Sequence, residues 1–272
     1  MPKIAVLQMT SGIDPDSNAQ VLADAIISAR EGGASMLFTP EMSGLLDRNR
    51  ERAAENIVDE SEDEGLAVVR TTADLNDLWV AIGSLAVASQ HGKWSNRSLV
   101  IDPEGRIAGR YDKMHMFDVD LATGESWRES NAYLAGKDVV TVADTPVGKL
   151  GLSICYDIRF PALFEALGRA RCDCIAIPAA FTVPTGEAHW HIMQRARAIE
   201  ASAFVVAAAQ VGVHEDGRKT YGHSLVVDPW GEVLLDMGGD EPGLAFVDIN
   251  LDRIAEVRAQ LPSLANKREI PK

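Results

Sequence analysis

Apolar residues fall in short runs along this chain, and their spacing predicts strands and helices in alternation. Lys3–Met9 (KIAVLQM) reads as a strand. Between Asn18 and Glu31, residues Val21, Leu22, Ala25, Ile26 and Ala29 recur at intervals of three and four. That is the period of a helix with one buried face, and Gly32-Gly33 ends it. Met36–Thr39 is a second apolar strand, closed by Pro40-Glu41. Helices are expected over 51–59 and 62–75, and strands over 79–87, 94–102 and 107–111. The turn at Pro103–Arg106 makes the last two strands antiparallel. Regular patterning then stops, and 113–136 reads as a long loop. Loops of that length in compact domains tend to be functional.

A second series follows. Strands are expected at Val139–Val142, Leu150–Ile154, Cys174–Pro178 and Ala203–Ala209, with helices at Pro161–Arg171 and Ala188–Ser202. A hairpin is expected over 221–228 and 232–236, then a strand at Leu244–Asp248 and a helix at Leu251–Gln260. The tail, 261–272, has no period and suits a surface, a partner subunit's among the candidates. Each half contains an Asp-Pro hairpin turn, DPEG at Asp102–Gly105 and DPWG at Asp228–Gly231. The expectation is an α/β protein of one domain over 1–272, a four-layer α-β-β-α sandwich in which two mixed sheets pack face to face with helices outside. A single doubly wound sheet is the alternative.

Composition narrows the classes. A hydrophobic fraction of 46% supplies a core without staples, and the three cysteines offer no disulfide framework. Cys172 and Cys174 are too close in sequence for an ordinary bridge, which suits a reducing compartment. The start lacks a signal-peptide apolar core, and no apolar run approaches the length of a membrane span. A cytoplasmic location is the expectation. The net charge of −14 disfavours nucleic acid and anionic membranes as partners. The acid run Asp59, Glu60, Glu62, Asp63 and Glu64 reads as a solvated face rather than a metal site.

The stretch with most chemistry is GKLGLSICYDIRFP, Gly148 to Pro161. A buried strand would deliver Cys155 to a turn, with free backbone N–H groups after it and a helix next. Cys155 could equally be an inert core cysteine. A thiol attacking a carbonyl carbon needs a proton acceptor and a positive group beside the developing oxyanion. Glu41, Lys113 and Glu129, at strand ends or in the long loop, are of the right types. Each also has a plain structural reading: a cap, a surface charge, a loop acid. His115 is the histidine nearest to these residues in sequence, and nothing pairs it with Cys155.

Three windows in order, FTPEMS around Glu41, YDKMHMFD around Lys113 and GLSICYDIRFP around Cys155, make the chain resemble the nitrilase, or carbon–nitrogen hydrolase, superfamily over its whole length. The resemblance implies an α-β-β-α sandwich and a Glu-Lys-Cys mechanism without metal or organic cofactor. Glu41 would be the general base. Lys113 and the backbone N–H of Tyr156 would hold the oxyanion. Cys155 would form a thioester and expel ammonia or an amine. Glu129, in WRESN, matches a second glutamate that supports Lys113, with Glu125 as its rival. A homodimer through the helices after Cys155 and Thr185 is also implied.

Pro178–Glu200 and Ala207–Val233 are similar to the branch holding deaminated-glutathione amidase and omega-amidase. That implies a small acid amide as substrate: deaminated glutathione, or alternatively 2-oxoglutaramate or another small amide, carbamoyl compound or nitrile. His191 and Ala201-Ser202 depart from the branch pattern. An anionic substrate requires a local cation, for which Arg159, Arg195 and Arg197 are candidates, although each could instead tie a helix to the core. Phe181, Thr182 and His189 could line the acyl pocket, and Tyr221, Gly222 and His223 could approach it. A catalytically idle scaffold and an ammonia-supplying subunit are the competing functions. The intact Glu41, Lys113 and Cys155 set argues against the first, and the lack of a synthetase segment against the second.

Overall fold

Alternate side chains of the first strand, Lys3–Gln8, enter different layers. This alternation organises the computed structural model, which describes residues 1–122, 124 and 126–268. Ile4 and Val6 are buried with Leu150, Leu152 and Val205 of the second half. Ala5 and Leu7 are buried with Leu22 and Ile26 of helix Pro15–Glu31 and with Leu66 and Val69 of helix Glu64–Leu75. A strand's period of two lets one sheet serve both interfaces.

The first sheet has the order Gly243–Asp248, Lys3–Gln8, Met36–Phe38, Trp79–Ala88, Trp94–Ile101, Ile107–Asp112. The strands starting at Lys3, Met36 and Trp79 are parallel, and the others run against their neighbours. The second sheet has the order Thr141–Thr145, Gly148–Leu152, Cys174–Ala176, Phe204–Ala207, Leu225–Val227, Val233–Asp236. Its parallel trio starts at Gly148, Cys174 and Phe204, again with antiparallel flanks. Helices Pro161–Arg169 and Val183–Ala201 cover its outer face, burying Leu163, Phe164, Leu167, Trp190 and Ala198. The layers are α-β-β-α with two mixed sheets, and the single doubly wound sheet is excluded.

Several boundaries differ from the sequence reading. Lys219–Tyr221 does not continue the second hairpin but pairs with Val211–Val213 in a separate ribbon. His223, at φ 52°, turns the chain through the left-handed region before Leu225–Val227 rejoins the sheet. The segment 113–136 is not wholly irregular: Asp118–Asp120 pairs with Ser126–Arg128, and a single turn follows at Glu129–Asn131. The helix expected from Ala188 starts at Val183, because Pro184 suits a first turn whose N–H groups lack partners. The acid run is not simply solvated. Glu60 pairs with Arg97 at 2.9 Å and Arg110 at 2.8 Å, and Asp63 caps a helix by accepting from the Leu66 N–H at 2.7 Å.

The two Asp-Pro turns are built alike. One carboxylate oxygen of Asp102 accepts from the N–H groups of Glu104 and Arg106, and one of Asp228 accepts from those of Trp230 and Glu232. Among the described residues all three cysteines are free, and no helix is long and apolar enough to cross a membrane.

Candidate active site

Glu41 lies three residues beyond the strand Met36–Phe38. The chain packs tightly there. A Cβ on Gly83 would come within 2.1 Å of the Thr39 carbonyl oxygen, so only glycine fits. Glu41 is 4% exposed. One of its oxygens accepts from the Ala180 N–H at 2.9 Å, and the other accepts from Lys113 Nζ at 2.8 Å and Asn96 Nδ2 at 3.0 Å.

Lys113 follows the edge strand Ile107–Asp112 and is pinned at both backbone groups. Its N–H donates to Asn96 O at 2.9 Å, and its carbonyl accepts from the Gly136 N–H at 2.8 Å. The close approach there needs glycine: a Cβ on Gly136 would lie 2.0 Å from the Asp112 carbonyl oxygen. Besides Glu41, the ammonium donates to both Glu129 oxygens, at 3.0 and 2.9 Å. Glu129 also accepts from the Phe117 N–H at 2.6 Å and Asn96 Nδ2 at 3.2 Å.

Cys155 comes from the other sheet. It lies three residues beyond strand Gly148–Leu152, and its N–H donates to Pro178 O at 2.9 Å. Its φ of 46° is left-handed, a strained conformation for a non-glycine residue. Cys155 is 8% exposed, and its thiol lies within reach of the Glu41 charge. A single turn, Cys155–Arg159, leads on to the helix Pro161–Arg169.

Burial and charge pull against each other at three of these groups. Burial pushes the Glu41 carboxyl up, but the charge and hydrogen bond of Lys113 outweigh it, leaving the carboxyl below its ordinary value. Burial opposes the Lys113 charge, but Glu129 and Glu41 hold the ammonium well above its ordinary value. Burial and the adjacent Glu41 charge drive the Cys155 thiol well above the usual range, with Lys113 offsetting only part. These directions favour a thiol beside an ionised Glu41 and a charged Lys113.

Two residues not anticipated from the sequence hold this arrangement. Asn96 ties Glu41 to Glu129; its only signal was an amide in an otherwise buried strand. Asp157, fully buried, locks the Cys155 turn to the Lys113 loop. It accepts from the Ile154 N–H at 2.9 Å, Tyr111 OH at 2.7 Å, and the His115 N–H at 3.0 Å and ring nitrogen at 2.7 Å. His115 therefore pairs with Asp157, and its ring stacks on Phe160 at 3.6 Å.

A cavity of about 1090 Å³ opens over this cluster. Glu41, Lys113, Glu129, Cys155, Tyr156, Phe181 and Thr182 line it. Arg159 and His189 do not. The Arg159 guanidinium lies over the Phe181 ring at 5.5 Å and the Tyr156 ring at 6.0 Å, beside His189. Arg195 and Arg197 serve the core instead: Arg195 donates to Gly231 O, while Arg197 donates to Ile158 O and pairs with Glu200. Tyr221, Gly222 and His223 are also off the wall. Tyr221 stacks on His223, which joins His191 and Asp236 in a group with metal-ligand spacing, away from the cavity wall. Glu125, the rival of Glu129, lies outside the described residues.

The carbon-nitrogen hydrolase family matches residues 3–259. A deaminated glutathione amidase of Synechocystis is 38% identical over 266 residues, 97% of either chain. The crystal structure of the Caenorhabditis elegans NitFhit protein aligns with a TM-score of 0.88 at 35% identity, covering 98% of this chain and 65% of that one. An amidase from Nesterenkonia, in a structure showing Michael addition of acrylamide at its active site cysteine, aligns with a TM-score of 0.79 at 25% identity, covering 96% of this chain and 98% of that one. The chain belongs to the carbon-nitrogen hydrolase family.

Proposed function

We propose that this carbon–nitrogen hydrolase is a cysteine amidase that cleaves a small acid amide through a thioester, with deaminated glutathione as substrate. The supporting observation is the buried junction of Cys155, Glu41, Lys113 and Glu129 at one cavity wall. Glu41, held ionised by Lys113, takes the thiol proton as the sulfur attacks the amide carbon. The Lys113 ammonium and the Tyr156 N–H stabilise the resulting oxyanion.

The hydrogen bonds suggest how these steps are coupled. At rest Lys113 spends its three N–H groups on Glu41 and Glu129. Once Glu41 is protonated it is a weaker acceptor, and one ammonium N–H is released toward the oxyanion as charge develops there. The C–N bond then breaks, and Glu41 returns the proton to the departing amine. In the second half, Glu41 takes a proton from water as the water oxygen attacks the thioester carbon. The acid leaves, and Glu41 reprotonates the thiolate.

Tyr156, Phe181 and Thr182 would bound the acyl group. Arg159, which has no carboxylate partner among the described residues, would supply positive potential behind Tyr156 and Phe181 for the acyl-side carboxylate, with His189 beside it. No metal or organic cofactor enters these steps. The protein would work in the cytoplasm as a homodimer.

Steady-state kinetics on deaminated glutathione and 2-oxoglutaramate, with wild type and Cys155→Ala, test the reading. The expected result is a much larger kcat/KM on deaminated glutathione and no turnover by the variant. A preference for 2-oxoglutaramate would move the assignment to an omega-amidase. Full activity of Cys155→Ala would overturn the mechanism.

A further inference from the structure

The cavity mouth is basic although the chain carries a net charge of −14. Away from the catalytic cluster the wall includes Arg48, Arg50, Arg128, Arg218 and Lys219, but among the described residues only one carboxylate, Asp47. Asp47 is already spent on Arg52, at 2.6 Å. Arg128 is paired with Asp120 at 2.7 Å, and Arg218 with Asp216 at 2.9 Å. Arg48, Arg50 and Lys219 have no carboxylate partner among the described residues. Cations without a carboxylate partner of their own on a concave surface repel one another, and an anionic ligand relieves that repulsion.

The arrangement is built rather than incidental. Arg48 belongs to the first half of the chain and the 216–219 turn to the second. Buried Asp216 joins them, accepting from the Arg48 N–H, the Arg218 N–H and Arg218 Nε, each at 2.9 Å. The Arg50 guanidinium lies over the Trp94 ring at 5.6 Å, and that of Arg218 over Trp127 at 5.1 Å. Both tryptophans line the cavity. Stacking on a ring face holds a guanidinium in place while its N–H edge stays available for a carboxylate. A cavity of about 1090 Å³ also exceeds what a five-carbon acid amide needs, leaving room beyond the scissile bond.

We propose that Arg48 and Arg50, assisted by Lys219, form a leaving-group subsite that holds a carboxylate on the departing amine. The preferred substrates are then amides of anionic, peptide-like amines rather than primary amides that release ammonia. The proposal rests on the amidase reading and extends it by assigning residues to the amine side.

The test compares wild type with Arg48→Ala/Arg50→Ala on three amides of one acyl group: 2-oxoglutaramate, deaminated glutathione, and deaminated glutathione with its terminal carboxylate converted to a carboxamide. The expected result is a rise of about tenfold in KM for deaminated glutathione with kcat nearly kept, so that its advantage over the carboxamide disappears. The charge-retaining Arg48→Lys/Arg50→Lys should recover most of it. A uniform loss on all three amides would mean the arginines only support the fold. No change on any would also overturn the subsite. If wild type itself cleaves none of the three, the amidase assignment fails first, before any variant is read.

Discussion

The two halves of the molecule share one plan and carry different chemistry. Each sheet has a parallel trio flanked by antiparallel strands, and each half closes a hairpin with the same aspartate-capped turn. The registers make the correspondence residue by residue. Val6 pairs with Phe38 in the first trio as Leu152 pairs with Ala176 in the second. Three residues further on, Met9 corresponds to Cys155 and Glu41 to Ala179. Pro40 and Pro178 also correspond. The thiol thus replaces a buried methionine, and the carboxylate replaces an alanine. In the proposed mechanism one half supplies the proton acceptor and ammonium, and the other supplies the nucleophile. The junction of Cys155 with Glu41 and Lys113 exists only because the sheets face each other.

The largest expected effect breaks this correspondence directly. Cys155→Ala should lower kcat/KM by at least about a thousandfold while leaving the denaturation midpoint nearly unchanged. Met9→Ala, at the equivalent point, should do the reverse. It empties a core position that is 2% exposed and should cost about 2–5 kcal/mol in chemical denaturation, with kcat largely retained in the folded fraction. Equal losses of activity would mean that the site depends on packing more than on the thiol.

Glu41→Gln comes next, with a fall in kcat of about a hundredfold or more, the scale of general-base catalysis. In wild type the acid limb of kcat/KM should lie below 4.5, the ordinary carboxyl value, because Lys113 holds the Glu41 carboxyl low. The linkage has a definite sign. A carboxyl depressed in the folded state adds stability above its unfolded pKa, and that stability is lost as pH falls through the folded value. Denaturation midpoints of wild type should therefore drop in that acid window, and those of Glu41→Gln should drop less. Identical pH profiles for the two would remove Glu41 from the titration.

The smallest effect compares the turns. Asp102→Ala should cost about 1 kcal/mol, the scale of lost turn hydrogen bonds. Asp228→Ala should cost more. Its second oxygen accepts from Arg253 Nε at 3.1 Å, tying the helix Asp252–Gln260 to the hairpin, whereas the partner of Asp102, Arg106, is mostly exposed. Equal midpoints would show that Arg253 adds nothing.

Local sequence went far. Periods of two and of three to four residues located most strands and helices, and the paired Asp-Pro turns betrayed the duplicated plan. These signals are local because backbone pairing and one-sided burial repeat within a few residues. Their places at strand ends made Glu41, Lys113 and Cys155 candidates, but only the resemblance of three windows to a known family set them apart from a cap, a surface charge and an inert core cysteine. What failed to show locally was decided by distant partners. Lys219–Tyr221 has strand-like residues, but the left-handed turn at His223 gives it to a different ribbon. Asp157 looks like one more acid in sequence; it matters because Tyr111, His115 and Ile154 converge on it. Arg195 and Arg197 were candidate anion sites until the carbonyls of Gly231 and Ile158 took their hydrogen bonds.

The sequence by itself determined the layered α/β plan and most of the order of its elements, and it marked Glu41, Lys113 and Cys155 as candidates, since period and residue type are encoded locally. Only the tertiary structure decided the directions in which their pKa values shift, the Asn96 and Asp157 ties, and the basic wall shared by 48–50 and 218–219. Those properties depend on burial and on groups 16 to 168 residues apart in sequence, and electrostatics acts through space rather than along the chain.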